Sequence, residues 1–338
     1  MRIIPSMNDS SHISLAGRSA RRWRGRPGLG QLGVGLALIG VLEAILFASV
    51  GGLLPAGWAA SIGTQVRIHI TPWAWSAYLM VLLGLLARLD GHSWLRRFAN
   101  RFWVCWLWSV PAWCYFDWLN FYFMRDPATG LHAWNYQGMP TNPWDRGLGY
   151  LLAFAAIAPG MFLTAEVFMR LGLKRVKSGG VRIARPLQII TFILGAGLFL
   201  WPFIFQSSIA NLAIWVSAIF LLDPINFWSG RPSIIGDWRR GRWGRTFSLM
   251  LGGLWCGLLW EFWNYWAIAK WTYHLPFLGI WRHIRYFQMP VPGLIGFAGF
   301  GVEVWVMWQF SLLALGGLVE GERKDLPADV RVARDGCI

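Results

Sequence analysis

The stretch WEFWNYWAIAKWTY, residues 260–273, decides how this sequence reads. It sets an acid, Glu261, and an amide, Asn264, three positions apart in an aromatic, apolar run, so a helix carries both on one face. A charged side chain in the bilayer core costs at least about 2.5 to 3.5 kcal/mol on the insertion scale, so this acid needs a partner or a task. The run leads on to FQMPVPGLIGF (287–297) and GVEVW (301–305), which brings in a second acid, Glu303.

Outward from that stretch, apolar runs of membrane-spanning length recur. Apolar residues make up 56% of the chain and charged residues 14%, with the charge deficit concentrated inside the runs, which excludes an ordinary soluble domain. Eight helices are predicted, over residues 31–54, 73–89, 102–123, 148–169, 187–205, 209–228, 246–268 and 291–317. The expected fold is all-α, a polytopic transmembrane helix bundle, with Pro111 kinking the third helix.

The formal charge of +15 would suit nucleic acid, but its distribution argues for topology instead. With the N-terminus cytoplasmic, the outer loops hold only Arg67, Arg125, Arg146, Lys270, Arg282 and Arg285 of the 31 Lys and Arg. The other basic residues fall on the inner side, as the positive-inside rule requires. Both termini are therefore expected in the cytoplasm and the chain in the cell inner (plasma) membrane. Anionic lipid head groups at the cytoplasmic basic loops are the expected partners, other membrane subunits are possible ones, and nucleic acid is not. A retained first helix is favoured over a cleaved signal peptide, because the run is long and contains Glu43, read as a contact within the bundle. Cys105, Cys114 and Cys256 fall in helices and Cys337 near the end, so no disulfide is expected; the terminal Gly-Cys-Ile is not a prenylation box.

The order of signals repeats. Asp117, Asn120 and Phe121 are answered by Glu261, Asn264 and Tyr265; Trp134 and Tyr136 by Trp271 and Tyr273; Met139-Pro140 by Met289-Pro290; Glu166 by Glu303; Asp90 by Asp223. Gly179 and Gly180 mark the boundary. The expected organisation is a basic cytoplasmic tail (1–28), a four-helix repeat (29–172), a basic linker (173–186), a second four-helix repeat (187–318) and a cytoplasmic tail (319–338). An even number of helices per half makes the repeats parallel.

At 1.5 Å per residue, Asp117 and Glu261 each lie roughly 22 Å from the inner start of their helices, in the outer half of the membrane. A carboxyl kept neutral there can donate a proton, which makes Asp117 and Glu261 the candidate catalytic residues. Asn120 and Asn264 would orient them, and Trp263, Trp271, Tyr273, Trp134 and Tyr136, with Glu303, would bind substrate beneath a lid formed by the outer loops. The competing reading is that the acid and amide pairs are interhelical hydrogen bonds joining the two halves. No His is predicted inside a helix, so buried haem ligation is excluded. His69, His132, His274 and His283 all fall on the outer side; neither a metal nor a cofactor is expected. No acid cluster suited to a magnesium-bound diphosphate appears, nor does a P-loop, nucleophile-elbow or CxxC motif.

The residues 260–273, 287–297 and 301–305, with LLDPINFWSGRPS at 221–233, resemble a group of uncharacterised bacterial multi-pass membrane proteins. The pattern of Asn264, Ala267, Trp271 and Tyr273 is also similar to the membrane-integral lycopene cyclase domain, whose Pro-x-Glu-Glu is replaced here by Pro290, Val291, Pro292 and Gly293. That resemblance implies redox-neutral chemistry (cyclisation, hydration or isomerisation) on a lipid or isoprenoid. A non-catalytic subunit or assembly factor of a respiratory or photosynthetic membrane complex is the alternative, and a small-molecule transporter a third reading.

Overall fold

The computed structural model of the chain describes residues 27–205 and 210–319. Most of the N-terminal basic tail, nearly all of the C-terminal tail and Cys337 lie outside these residues.

The described chain runs through α1 (Leu29–Val50), α2 (Trp58–Asp90), α3 (Trp94–Phe123), β1 (Trp134–Gln137), α4 (Pro143–Arg170), α5 (Arg185–Ile204) and α6 (Ala210–Trp228). It continues with α7 (Ile234–Arg239), α8 (Gly244–Trp266), β2 (Lys270–Tyr273), β3 (Arg285–Tyr286), β4 (Met289–Pro290) and α9 (Val291–Val319). Five helices, α1, α2, α4, α5 and α9, are long and apolar enough to cross a membrane, and α6 contains a shorter apolar segment. The protein is thus a helical, multi-pass membrane protein. Helices α3 and α8 fall short of that measure because Asp117 and Asn120, Glu261 and Asn264, and many Trp dilute their apolar character.

The differences from the sequence reading are local. Helix α2 begins at Trp58, so the expected loop over 55–72 is mostly helix and Pro72 lies inside it. His69 is therefore a buried helical residue, contrary to the expectation that no His lies in a helix. In α3 the backbone leaves helical geometry at Phe98, not at Pro111. The short helix α7 and the two antiparallel ribbons, β1 with β2 and β3 with β4, were not foreseen in an all-α bundle.

Packing is led by α1 against α2 and α5 against α6, then α8 against α9 and α2 against α4, with α6 also against α9. Helix α3 packs on α4, and α4 also packs on α8. Helices α1 and α5 are peripheral and expose Leu36, Val41, Ile190 and Ile193, an apolar surface suited to lipid tails. The interior holds Trp75, Trp263, Trp305 and Trp308, all under 2% exposed except Trp263 at 2%. Glu43 accepts a hydrogen bond from Trp263 Nε1 at 3.1 Å, the bundle contact expected of it. Cys105, Cys114 and Cys256 are free thiols.

Small residues allow α8 and α9 to touch along their backbones. A Cβ on Gly301 would lie 2.2 Å from the Leu249 carbonyl oxygen, whereas one on Gly299 would meet nothing within 4 Å. Gly301→Ala is accordingly expected to cost about 1 to 3 kcal/mol, and Gly299→Ala less than about 0.5 kcal/mol. Thermal unfolding of the two variants in detergent, compared with wild type, checks the difference.

Candidate functional site

The site is assembled where α3 and α8 hand over to β1 and β2. Each helix ends in an acid and an amide on one face, and each amide grips the strand that follows its own helix. Asn120 Nδ2 donates to the Trp134 carbonyl at 2.8 Å, and Trp134 N donates back to Asn120 Oδ1 at 3.2 Å. Asn264 repeats the clamp on Trp271, with 2.8 Å to its carbonyl and 2.9 Å from its N–H. The carboxyls take the side chains. Asp117 Oδ1 accepts from Trp134 Nε1 at 2.8 Å and from the Tyr136 hydroxyl at 3.0 Å. Glu261 Oε1 accepts from the Tyr273 hydroxyl at 2.8 Å, and that hydroxyl accepts from Trp271 Nε1 at 2.7 Å.

The two clamped strands then pair with each other. The antiparallel register sets Trp134 opposite Tyr273, Asn135 opposite Thr272 and Tyr136 opposite Trp271. Because side chains alternate along a strand, Trp134, Tyr136, Trp271 and Tyr273 share one face of the ribbon. Asn135, Gln137, Lys270 and Thr272 take the other. The apolar face closes over a cavity of about 140 Å³. Trp113, Trp215, Trp260 and Phe300 form its aromatic wall, Met139, Pro140 and Met289 contribute from the loops, and His69, Asp145 and Arg146 bring polar groups to it. His69 Nε2 lies 3.4 Å from Asp145 Oδ1.

The expected site residues therefore divide. Trp134, Tyr136, Trp271 and Tyr273 line the cavity. Asp117 and Glu261 stand behind the ribbon side chains and are not among the lining residues, so Asp117 reaches the cavity through Trp134 and Tyr136, and Glu261 through Tyr273. Asn120 and Asn264 hold backbone and do not touch the acids. Nor do the acid and amide pairs bond helix to helix, as the competing reading had it; they bond helix to ribbon. Trp263 turns away toward Trp75, Tyr78 and Glu43. Glu303 is 1% exposed in α9, away from the cavity lining. Its expected counterpart Glu166 differs, being ion-paired with Arg170, which also holds Asp90 at 2.7 Å.

Burial holds both ribbon phenols protonated, with pKa values well above the ordinary tyrosine range. The neighbouring carboxyl, Asp117 for Tyr136 and Glu261 for Tyr273, adds to the effect. The Glu261 carboxyl also lies beside the backbone of Met289 and Gln288.

A second tie joins the loop after α3 to the segment after β2. His274 Nε2 lies 2.7 Å from Asp126 Oδ2, and Thr129 also reaches Asp126. The hydrogen bond from His274, followed by that from the Ala128 N–H, holds the Asp126 carboxyl below the usual carboxylate range. A depressed carboxyl stabilises the fold above its unfolded pKa of about 3.9 and loses that contribution as pH falls through the lower folded value. Protease sensitivity of the 124–133 loop is expected to stay flat at neutral pH and rise only below about pH 4. Asp126→Asn should show the raised sensitivity already at neutral pH. Among the described residues no group of three or more His, Cys, Asp or Glu is placed to hold a metal ion, and His69, His132, His274 and His283 do not form one.

No protein-family model, curated protein or solved structure matches this chain.

Proposed function

We propose that the protein acts on a lipid or isoprenoid as a redox-neutral enzyme of cyclase, hydratase or isomerase type. In this reading it crosses the inner (plasma) membrane eight times as two parallel four-helix repeats, with both termini cytoplasmic. The observation that carries the proposal is the pair of phenol–carboxyl couples, Tyr136 with Asp117 and Tyr273 with Glu261, on the cavity face of one ribbon. Matching clamps by Asn120 and Asn264, and strands that pair W-x-Y against W-x-Y, support the duplication.

The chemistry follows from the order of groups. With the carboxyl protonated, the phenol passes its proton to an alkene carbon and takes the carboxyl's proton in return. The resulting cation lies against the π faces of Trp113, Trp215 and Trp260. Loss of a neighbouring C–H proton back through the phenol restores the carboxylic acid, so no electron donor or acceptor is needed. The cavity is sized for a short segment of an apolar chain, with the remainder leaving past the polar group of His69, Asp145 and Arg146.

A second reading, a non-catalytic subunit of a larger membrane complex, is favoured by one observation: Asn120, Asn264 and Asp117 are all committed to holding the ribbon. Lipid extracts of a deletion strain, complemented with wild type or with Glu261→Gln, separate the two. The enzyme reading expects an accumulated precursor in the deletion and in Glu261→Gln but not with wild type. Identical lipid profiles in all three strains would reject it in favour of the subunit.

A further inference from the structure

At the end of the bundle opposite the ribbon there is a second cleft, of about 480 Å³. Lys174, Arg175, Lys177, Arg242 and Arg245 line it, with Asp237 the sole acid of the lining and Met169 and Gly244 completing the wall. Five cations face one carboxylate in a half-enclosed space, where low-dielectric walls concentrate the field.

The cleft is a built feature. Its walls are tied backbone to backbone: Ser178 N donates to the Gly241 carbonyl at 3.0 Å, Val181 N to that of Trp238 at 3.0 Å and Trp243 N to that of Val176 at 3.2 Å. Asp237 is 3% exposed and braces two guanidinium groups, Arg242 Nη2 on one oxygen and Arg245 Nη1 on the other, each at 2.7 Å. Arg245 is 5% exposed and its guanidinium lies 4.9 Å from the centre of the Trp305 ring. The first turn of the 23-residue helix α8 begins at Gly244, where a Cβ would lie 2.1 Å from the Leu173 carbonyl oxygen. Two guanidinium groups held in place, three exposed basic side chains on the facing loop and a helix N-terminus together suit the charge and geometry of phosphate oxygens. In the lining the basic side chains outnumber the acid five to one, which favours a multiply charged anion over a singly charged one.

We propose that this cleft binds a phosphoryl group carrying two or more negative charges, borne either by a membrane phospholipid or by a soluble phosphate compound. The site is independent of the cavity under the ribbon, so it stands whether or not that cavity is catalytic.

Full-length protein is purified and placed in phosphatidylcholine nanodiscs, and binding of inorganic diphosphate is measured by titration calorimetry. In parallel, nanodiscs containing phosphatidate are used to measure lipid retained after detergent extraction by native mass spectrometry. The test variant is Lys174→Gln/Arg175→Gln/Lys177→Gln, which changes only exposed side chains; Lys270→Gln/Arg282→Gln/Arg285→Gln removes the same charge at the ribbon end. Diphosphate binding that weakens at least about tenfold in the test variant and not in the control supports the site with a soluble ligand. Phosphatidate retention lost in the test variant alone, and not displaced by diphosphate, supports it with a lipid ligand. Absence of both, or equal losses in both variants, overturns the proposal.

Discussion

Asn264→Ala is expected to lower stability by roughly 2 to 4 kcal/mol, because it strands two buried backbone groups at once. The side chain is fully buried and spends both its polar atoms on Trp271, so no water stands ready to replace them. With that clamp gone β2 loses its anchor to α8, and the segment 267–290 becomes open to protease. Asn120→Ala removes the equivalent grip on Trp134 and should act in the same direction. Combining the two is expected to cost less than the sum, since either one already weakens the β1–β2 pairing that both support. Gln137→Ala, on the exposed face of the ribbon, serves as the control and should shift stability by less than about 0.5 kcal/mol. Thermal unfolding in detergent and the rate of cleavage within 267–290 measure these effects. A wild-type cleavage rate for Asn264→Ala would mean that the amide does not hold the strand.

Tyr273→Phe is expected to have the largest effect on turnover while leaving the bundle intact. It deletes one hydroxyl that donates to Glu261 and accepts from Trp271, which strands a buried carboxyl oxygen and an indole N–H at a stability cost of about 2 to 4 kcal/mol. A lost general acid lowers rate by about 10² to 10⁴. Glu261→Gln should match it, because phenol and carboxyl act as one relay. Tyr136→Phe reports whether the Asp117 couple carries an equal share or serves only the ribbon. The readout is product lipid in the complemented deletion strain, normalised to inserted protein. Wild-type product levels in both Tyr273→Phe and Glu261→Gln would leave the couples with a purely structural task.

Much of this arrangement was legible in the sequence, for identifiable reasons. Runs of about twenty apolar residues announce long helices. An acid and an amide three apart, each followed by W-x-Y, announce a matched pair of helix ends. What escaped is what sequence does not encode locally. The first turns of α2 contain Gln65, Arg67 and His69 and end at Pro72, so they read as loop; in the structure they are helix, and the Arg67 carbonyl accepts from Ile268 N at 2.8 Å, which ties them to the segment after α8. The amides were read as partners of the acids because their true partners are backbone groups, which leave no residue signature. Trp260 and Trp263 both pack on Trp75, yet only Trp260 reaches the cavity, while Trp263 donates to Glu43. Helical spacing offered a signal for Trp113, which lies four residues before Asp117 on the same face. The basic cleft was visible only as two separate charge runs, 170–185 and 231–245, until the chain brought them together.

Cavity and relay both require the segments that follow α3 and α8 to meet as a single ribbon. Asn135 and Thr272 sit opposite each other at its centre, and opposed Cβ atoms in such a pair lie about 4.5 to 5.5 Å apart. In a chain whose native cysteines are replaced by alanine, Asn135→Cys/Thr272→Cys should form an intramolecular disulfide under mild oxidation, with each single-cysteine variant remaining reactive to maleimide. Two accessible cysteines that fail to cross-link would contradict the ribbon, and with it the cavity and the relay beneath.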